Sequence, residues 1–194
     1  MNDFAAISEP PKHPLRELAD DIFARHNPYS GTGFLHHCQR LYAFTRLLML
    51  HRRIEFPAEL TYLLAMVHDL GLVSSEDAGA NYLRRTVSLF WRESSGHQTY
   101  LSNHDPRLLE ACLLYNHQFK KIGNNQSPAE AFRCAVWVEH SRGHLTFGLD
   151  SLTVKQVFRR YPRDNLDKVL IDFFWRTLRR EPSTIIRGIF FGAP

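Results

Sequence analysis

Histidine occurs eleven times in these 194 residues, several times where imidazole could do chemistry. His68-Asp69 ends the apolar run LTYLLAMVHDLGL. The stretch before it carries Leu60, Leu63, Leu64, Met66 and Val67. A helix apolar on most faces is buried, so an imidazole and a carboxylate at its end are desolvated together. An unpaired buried carboxylate is costly. A metal ion or a second histidine resolves that cost, and a hydrogen-bonded core pair is the plainer alternative.

Two further places carry the same kind of chemistry. His37 shares a helical face with Leu41, Phe44 and Leu48, whereas His36 lines up with Arg40, Ala43 and Leu47. The more apolar line runs with His37, which is therefore expected to point inward. His117 follows Leu109, Leu113 and Leu114 on one face and is also expected inward. Lys120 and Lys121 come next; cations beside a metal ligand would suit an anionic substrate, and a helix C-cap is the other reading of them. His97 (SSGHQ) and His104 (SNHDP) sit in polar surroundings that read as surface loop. His13, His26, His51 and His144 read as surface or capping residues.

The elements that must position these residues all read as helices. Apolar spacing gives a first helix from Pro14 to about His26 and a long one from Thr32 to Arg53. Pro57 opens a third that runs to Leu70, with Gly71 as its C′ residue. Ser74 or Ser75 is expected to cap a fourth helix reaching Trp91, with Glu76 and Asp77 at its positive end. A fifth runs from Asp105-Pro106 to near Gly123. A sixth opens at Ser127-Pro128-Ala129-Glu130 and ends by Gly143. Two shorter helices follow, near 152–160 and 164–180. No strand-like alternation flanked by hairpin turns interrupts the series, so the expected fold is an all-α bundle.

A chain of this length is expected to form a single domain, 1–194, with a core of its own. Hydrophobic residues at 44% and charged residues at 23% are ordinary for a folded domain. No apolar run reaches the roughly 18 residues of a membrane span. The first residues, MNDFAAISEPPKHP, lack the apolar core of a signal peptide. Cys38, Cys112 and Cys134 lie in apolar stretches without CxxC spacing, the pattern of buried thiols in a reducing cytoplasm. The charge is uneven: residues 151–194 hold 9 Lys+Arg against 4 Asp+Glu, and residues 1–150 hold 15 against 16. That basic extension could meet nucleic acid, an acidic lipid surface or an anionic substrate, or simply be a solvated helix face. No RNA-binding, zinc-finger or homeodomain pattern accompanies it. Val157, Phe158, Leu166, Leu170, Phe173, Phe174 and Leu178 are expected to pack it onto the core as helices.

Together, His37-Cys38-Gln39-Arg40-Leu41, then Val67-His68-Asp69-Leu70-Gly71, then Leu113-Leu114-Tyr115-Asn116-His117 resemble the HD-domain superfamily of metal-dependent hydrolases over about residues 30–145. The resemblance implies an all-helical core holding one or two divalent metals, with His37, His68, Asp69 and His117 as ligands. The family usually closes its site with an Asp on a late helix. The matching stretch here, AFRCAVWVEHSRG, looks most similar to A-D-W-x-D-x-S-x-G of a branch that includes cyanamide-hydratase-like members. In that register the ligand Asp falls on Val136, which cannot bind a metal. Glu139 matches the second acid and is the expected replacement, with His140, on the face of Val136, as the alternative. Binuclear members recruit a further His, for which His97 or His104 would stand.

A mixed His and carboxylate set suits Fe, Mn, Co, Ni or Zn. The resulting expectation is a metal-dependent hydrolase of a small anionic substrate, a phosphoester of nucleotide type. Asp69 would be catalytic as well as a ligand. Arg40, Lys120, Lys121 and Arg142 are candidates to hold the substrate. Two other classes stay open: nitrile or cyanamide hydration, or di-iron oxygenation, on the same site; and a non-enzymatic interaction protein with a degenerate site. Homo-oligomerisation is left open as well.

Overall fold

A computed structural model describes residues 9–74 and 81–182. Those residues form an all-α bundle with no strand among them. The helices are α1 (Pro14–His26), α2 (Gly33–His51), α3 (Ala58–Val67), α4 (Tyr82–Glu93), α5 (Gln98–Leu101), α6 (Pro106–Leu114), α7 (Pro128–His140), α8 (Ser151–Arg160) and α9 (Leu166–Arg180). Short 3-10 turns, Leu70–Leu72 and Ser95–His97, follow α3 and α4. None of these helices is long and apolar enough to cross a membrane.

The interior belongs to α2 and α3. Thirteen of the nineteen α2 residues are buried, as is every α3 residue from Leu60 to Val67. A helix apolar all round belongs at the centre of a bundle. Accordingly α2 packs against α7, α3, α8 and α9, while α1 covers α3. Caps follow local chemistry. His13 Nδ1 accepts the Leu15 N–H at α1, Asp105 the Arg107 N–H at α6 and Asp150 the Thr153 N–H at α8. Cys38, Cys112 and Cys134 are all buried free thiols.

Four expectations about the elements need correction or completion. The cap of α4 is Asn81, whose side chain accepts the Arg84 N–H; Ser75, Glu76 and Asp77 lie outside the described residues. Gly71 is not a left-handed C′ residue. It is a contact point: a Cβ there would fall 2.1 Å from the Tyr82 carbonyl oxygen and 2.4 Å from Thr86 Oγ1. Its lack of a side chain lets α4 press on the turn after Asp69. Third, α6 stops at Leu114, well short of Gly123. Beyond it the Arg133 guanidinium takes the carbonyls of Gln118 and Phe119, and the Trp137 indole also donates to that of Gln118. Those donors hold the chain off a helical path. Fourth, the basic extension packs through Val157, Leu166 and Phe173, with Phe158 and Leu170 partly buried. Phe174 and Leu178 instead face outward, because α9 meets the core along Leu166, Val169, Phe173 and Thr177.

Candidate metal centre

Three elements bring the candidate ligands together. His37 lies in the first turns of α2. His68 is the C-cap of α3, and Asp69 stands at the start of the following 3-10 turn. His117 comes from the turn after α6. His37 and His68 are fully buried and Asp69 is 2% exposed. His37 Nε2 lies 3.2 Å from His68 Nε2 and 3.6 Å from Asp69 Oδ2, and His68 Nε2 lies 3.1 Å from the same oxygen. These three residues form a buried group able to hold a metal ion. His117 joins from one side, its Nε2 4.0 Å from Asp69 Oδ1.

The far nitrogen of each ring decides which proton it carries. His68 Nδ1 is 2.8 Å from the Ala65 carbonyl, which only accepts, so the hydrogen sits at Nδ1 and Nε2 is bare in the neutral ring. His37 Nδ1 faces Glu139 Oε2 at 3.1 Å, an ion-pair contact rather than an aligned hydrogen bond; a hydrogen at Nδ1 is the one that carboxylate attracts. His117 Nδ1 is 3.1 Å from the Tyr82 hydroxyl. Two neutral imidazoles would thus face each other lone pair to lone pair, beside a carboxylate. Only a proton or a cation between them makes that arrangement favourable. Asp69 Oδ1 adds a second mark: it is buried without a hydrogen-bond partner among the described residues. Donors about 3.0–3.5 Å apart are what bonds of about 2.0–2.2 Å to one common ion produce. Outer partners that fix ring orientation and tautomer are the usual companions of metal-binding histidines.

Charge follows geometry. Burial pulls His37 down, but Glu139 and Asp69 outweigh it and hold the ring up at about 9. Burial drives His117 down to about 3; Asp69 opposes this, while the neighbouring histidines add to it. Asp69 stays well below the usual carboxylate range despite burial, because His68 and His117 face it.

Glu139, expected among the ligands, lies behind His37 rather than beside Asp69. Its Oε2 faces His37 Nδ1 and accepts from His140 Nδ1 at 3.2 Å. Its Oε1 accepts from Arg40 at 2.8 and 3.1 Å and from Arg163 at 3.0 Å. Arg40, expected to hold substrate, has no free side: its Nη1 also donates to the carbonyls of Tyr161 and Pro162. It ties α2 and Glu139 to the connection between α8 and α9. Val136 is buried in the apolar core. His140 stands over the site, its ring 5.8 Å from that of His37 and 5.3 Å from that of His117. Its side chain is 27% exposed and that of His117 is 15% exposed, so the cluster reaches solvent along this edge.

The remaining candidates lie elsewhere. Lys120 and Lys121 are exposed on the segment past His117. Arg142 is exposed and pairs with Asp167. His97 packs beside Tyr100, and His104 beside Phe56. His36 turns to the surface, near the Pro162 carbonyl and Asp164. Sequence reasoning missed Tyr82, Arg163 and the Ala65 carbonyl. Only Ala65 carried a local signal, standing three residues before His68 on the same helix face.

Comparison with protein-family models, curated proteins and solved structures finds no match to this chain.

Proposed function

We propose that this chain is a metal-dependent hydrolase acting on a small anionic substrate, with His37, His68, Asp69 and His117 around one divalent transition ion. One observation carries the reading: the Nε2 atoms of two buried histidines meet 3.2 Å apart, beside a carboxylate with an oxygen left unpartnered among the described residues. The similarity of the three His-containing stretches to the HD-domain superfamily supports the reaction class, and a phosphoester of nucleotide type is the substrate it favours. Fe, Mn, Co, Ni and Zn all suit such donors.

A bound divalent ion supplies Lewis-acid polarisation of a substrate oxygen. The protein does the rest. Ala65, Glu139 and Tyr82 hold three rings with Nε2 forward. Asp69 stays ionised, and its Oδ1, without a hydrogen-bond partner among the described residues, can orient a water or substrate hydroxyl by accepting its hydrogen bond. His140, anchored through Nδ1 on Glu139, stands at the open edge where substrate enters. The apolar side chains around His68 keep water from the opposite side.

Val136 favours a second reading. An apolar residue in place of an acid leaves Asp69 as the one carboxylate facing the Nε2 atoms among the described residues, as in a degenerate site kept by an interaction protein. Elemental analysis of protein purified without added metal separates the two. Near-stoichiometric Fe, Mn, Co, Ni or Zn, lost in His68→Ala, together with phosphoesterase activity lost in the same variant, supports the hydrolase. No metal after reconstitution leaves the interaction protein.

A further inference from the structure

Helix α9 has a second apolar face. Leu166, Val169, Phe173 and Thr177 are buried against the bundle. On another side Ile171, Phe174, Trp175 and Leu178 are 59, 50, 49 and 38% exposed. Their spacing of i, i+3, i+4 and i+7 makes one continuous stripe. Isolated exposed apolar residues are ordinary, but a contiguous stripe with two aromatic rings marks a docking surface.

Its surroundings say what docks. Lys168 lies three residues before Ile171 and Arg179 four after Trp175, so exposed cations continue the same line at both ends. Arg180 is exposed on the last turn as well. The acids of this helix are engaged: Asp167 with Arg142 and Arg163, Asp172 with Arg176 and Tyr29. The sequence beyond continues the chemistry, with Ile185, Ile186, Ile189, Phe190 and Phe191 and a single charge, Arg187, in residues 183–194.

We propose that this face of α9 docks on an anionic lipid surface. Aromatic rings settle at headgroup depth and flanking cations meet acidic headgroups, the combination used by helices that lie in a membrane interface. A second copy of the chain fits less well. Four half-exposed side chains offer on the order of 400 Å², against about 800 Å² per partner in a standard interface. A self-pairing would also bring together two segments, residues 151–194, that each hold 9 cations and 4 acids. The inference is independent of the metal reading.

The test is co-sedimentation of the full chain with vesicles of phosphatidylcholine alone and of phosphatidylcholine with phosphatidylserine. Binding is expected to the phosphatidylserine vesicles and to fall as salt rises. Phe174→Glu/Trp175→Glu should abolish it, with an unchanged thermal melt by circular dichroism because both side chains are exposed. Lys168→Glu/Arg179→Glu, which leaves the apolar stripe intact, should lower the partition coefficient about ten-fold or more. Equal binding to both vesicle types, or wild-type binding by Phe174→Glu/Trp175→Glu, overturns the proposal. So does a dimer seen by analytical ultracentrifugation that Trp175→Glu dissolves, since the occupant is then a second copy.

Discussion

Two buried carboxylates, Glu130 and Asp69, meet opposite fates in this molecule. Glu130, in the first turn of α7, is complete. It accepts from Arg133 through both oxygens at 2.8 and 2.9 Å, from the Ile122 N–H at 2.9 Å and from Cys134 Sγ. Arg133 then spends its remaining donor on the carbonyls of Gln118 and Phe119. Nothing is left over, and the cluster clamps the segment that carries His117. Asp69 is as deeply buried, yet among the described residues its Oδ1 has no hydrogen-bond partner, and two imidazole Nε2 atoms crowd its other oxygen. A buried polar cluster that satisfies itself is scaffold. One that stays incomplete after folding is waiting for something, because an unmet buried group costs free energy.

The comparison can be broken by exchanging the two acids for their amides. Asp69→Asn should abolish stoichiometric metal binding while shifting the stability of the chelated protein by only about 1 kcal/mol. Glu130→Gln should do the reverse. It leaves the Arg133 charge buried and unpaired, at about 3 kcal/mol in urea unfolding, with added metal giving no rescue specific to that loss. Equal destabilisation by both changes would erase the distinction. A smaller effect sharpens it. Tyr82→Phe removes the hydroxyl facing His117 Nδ1 without emptying its place, and should weaken metal affinity by about 10-fold, read by competition with a chromophoric chelator. Unchanged affinity would place His117 outside the ligand set.

Acidity gives the finest test. His37 is held at about 9, above its unfolded value near 6.5. Its contribution to stability is fully present below that unfolded value and is lost as pH rises through about 9. His117 is driven down to about 3, so its contribution is present above about 6.5 and is lost as pH falls toward 3. The unfolding free energy of chelated protein, from urea titrations, should therefore decline on both limbs, each by at most about 1.4 kcal/mol per pH unit. Saturating metal should flatten the alkaline limb, because the ion takes the place of the His37 proton. An alkaline limb unmoved by metal would show that the proton is not sitting where the ion binds.

Much of the helical order was legible along the chain because its signals are local. Proline, capping acids and 3.6-residue apolar spacing act over four or five positions. The choice of His37 over His36 rests on the same periodicity, and so does the burial of His68-Asp69 at the end of an apolar run. Where α6 ends was not legible. Its sequence keeps a helical pattern past Leu114, but Arg133 and Trp137, both from another helix, compete for the carbonyls that would extend it.

What the sequence by itself determined was which residue types stand on inward helical faces, and thus that His37 and the His68-Asp69 pair lie in the interior; His117 reaches the same place from a turn beyond the end of α6, not from a helical face. What only the tertiary structure decided was the job of each charged neighbour. Glu139 lies behind the His37 ring rather than in front of it because two arginines, 99 and 24 residues away in sequence, hold its other oxygen. Arg40 is a strut rather than a substrate clamp because the connection after α8 brings the Tyr161 and Pro162 carbonyls to it. Phe174 and Leu178 are left outside because the core occupies only one side of α9. Helical periodicity places a side chain on a face. Hydrogen bonds between residues far apart in sequence choose its partner, and no local pattern encodes them.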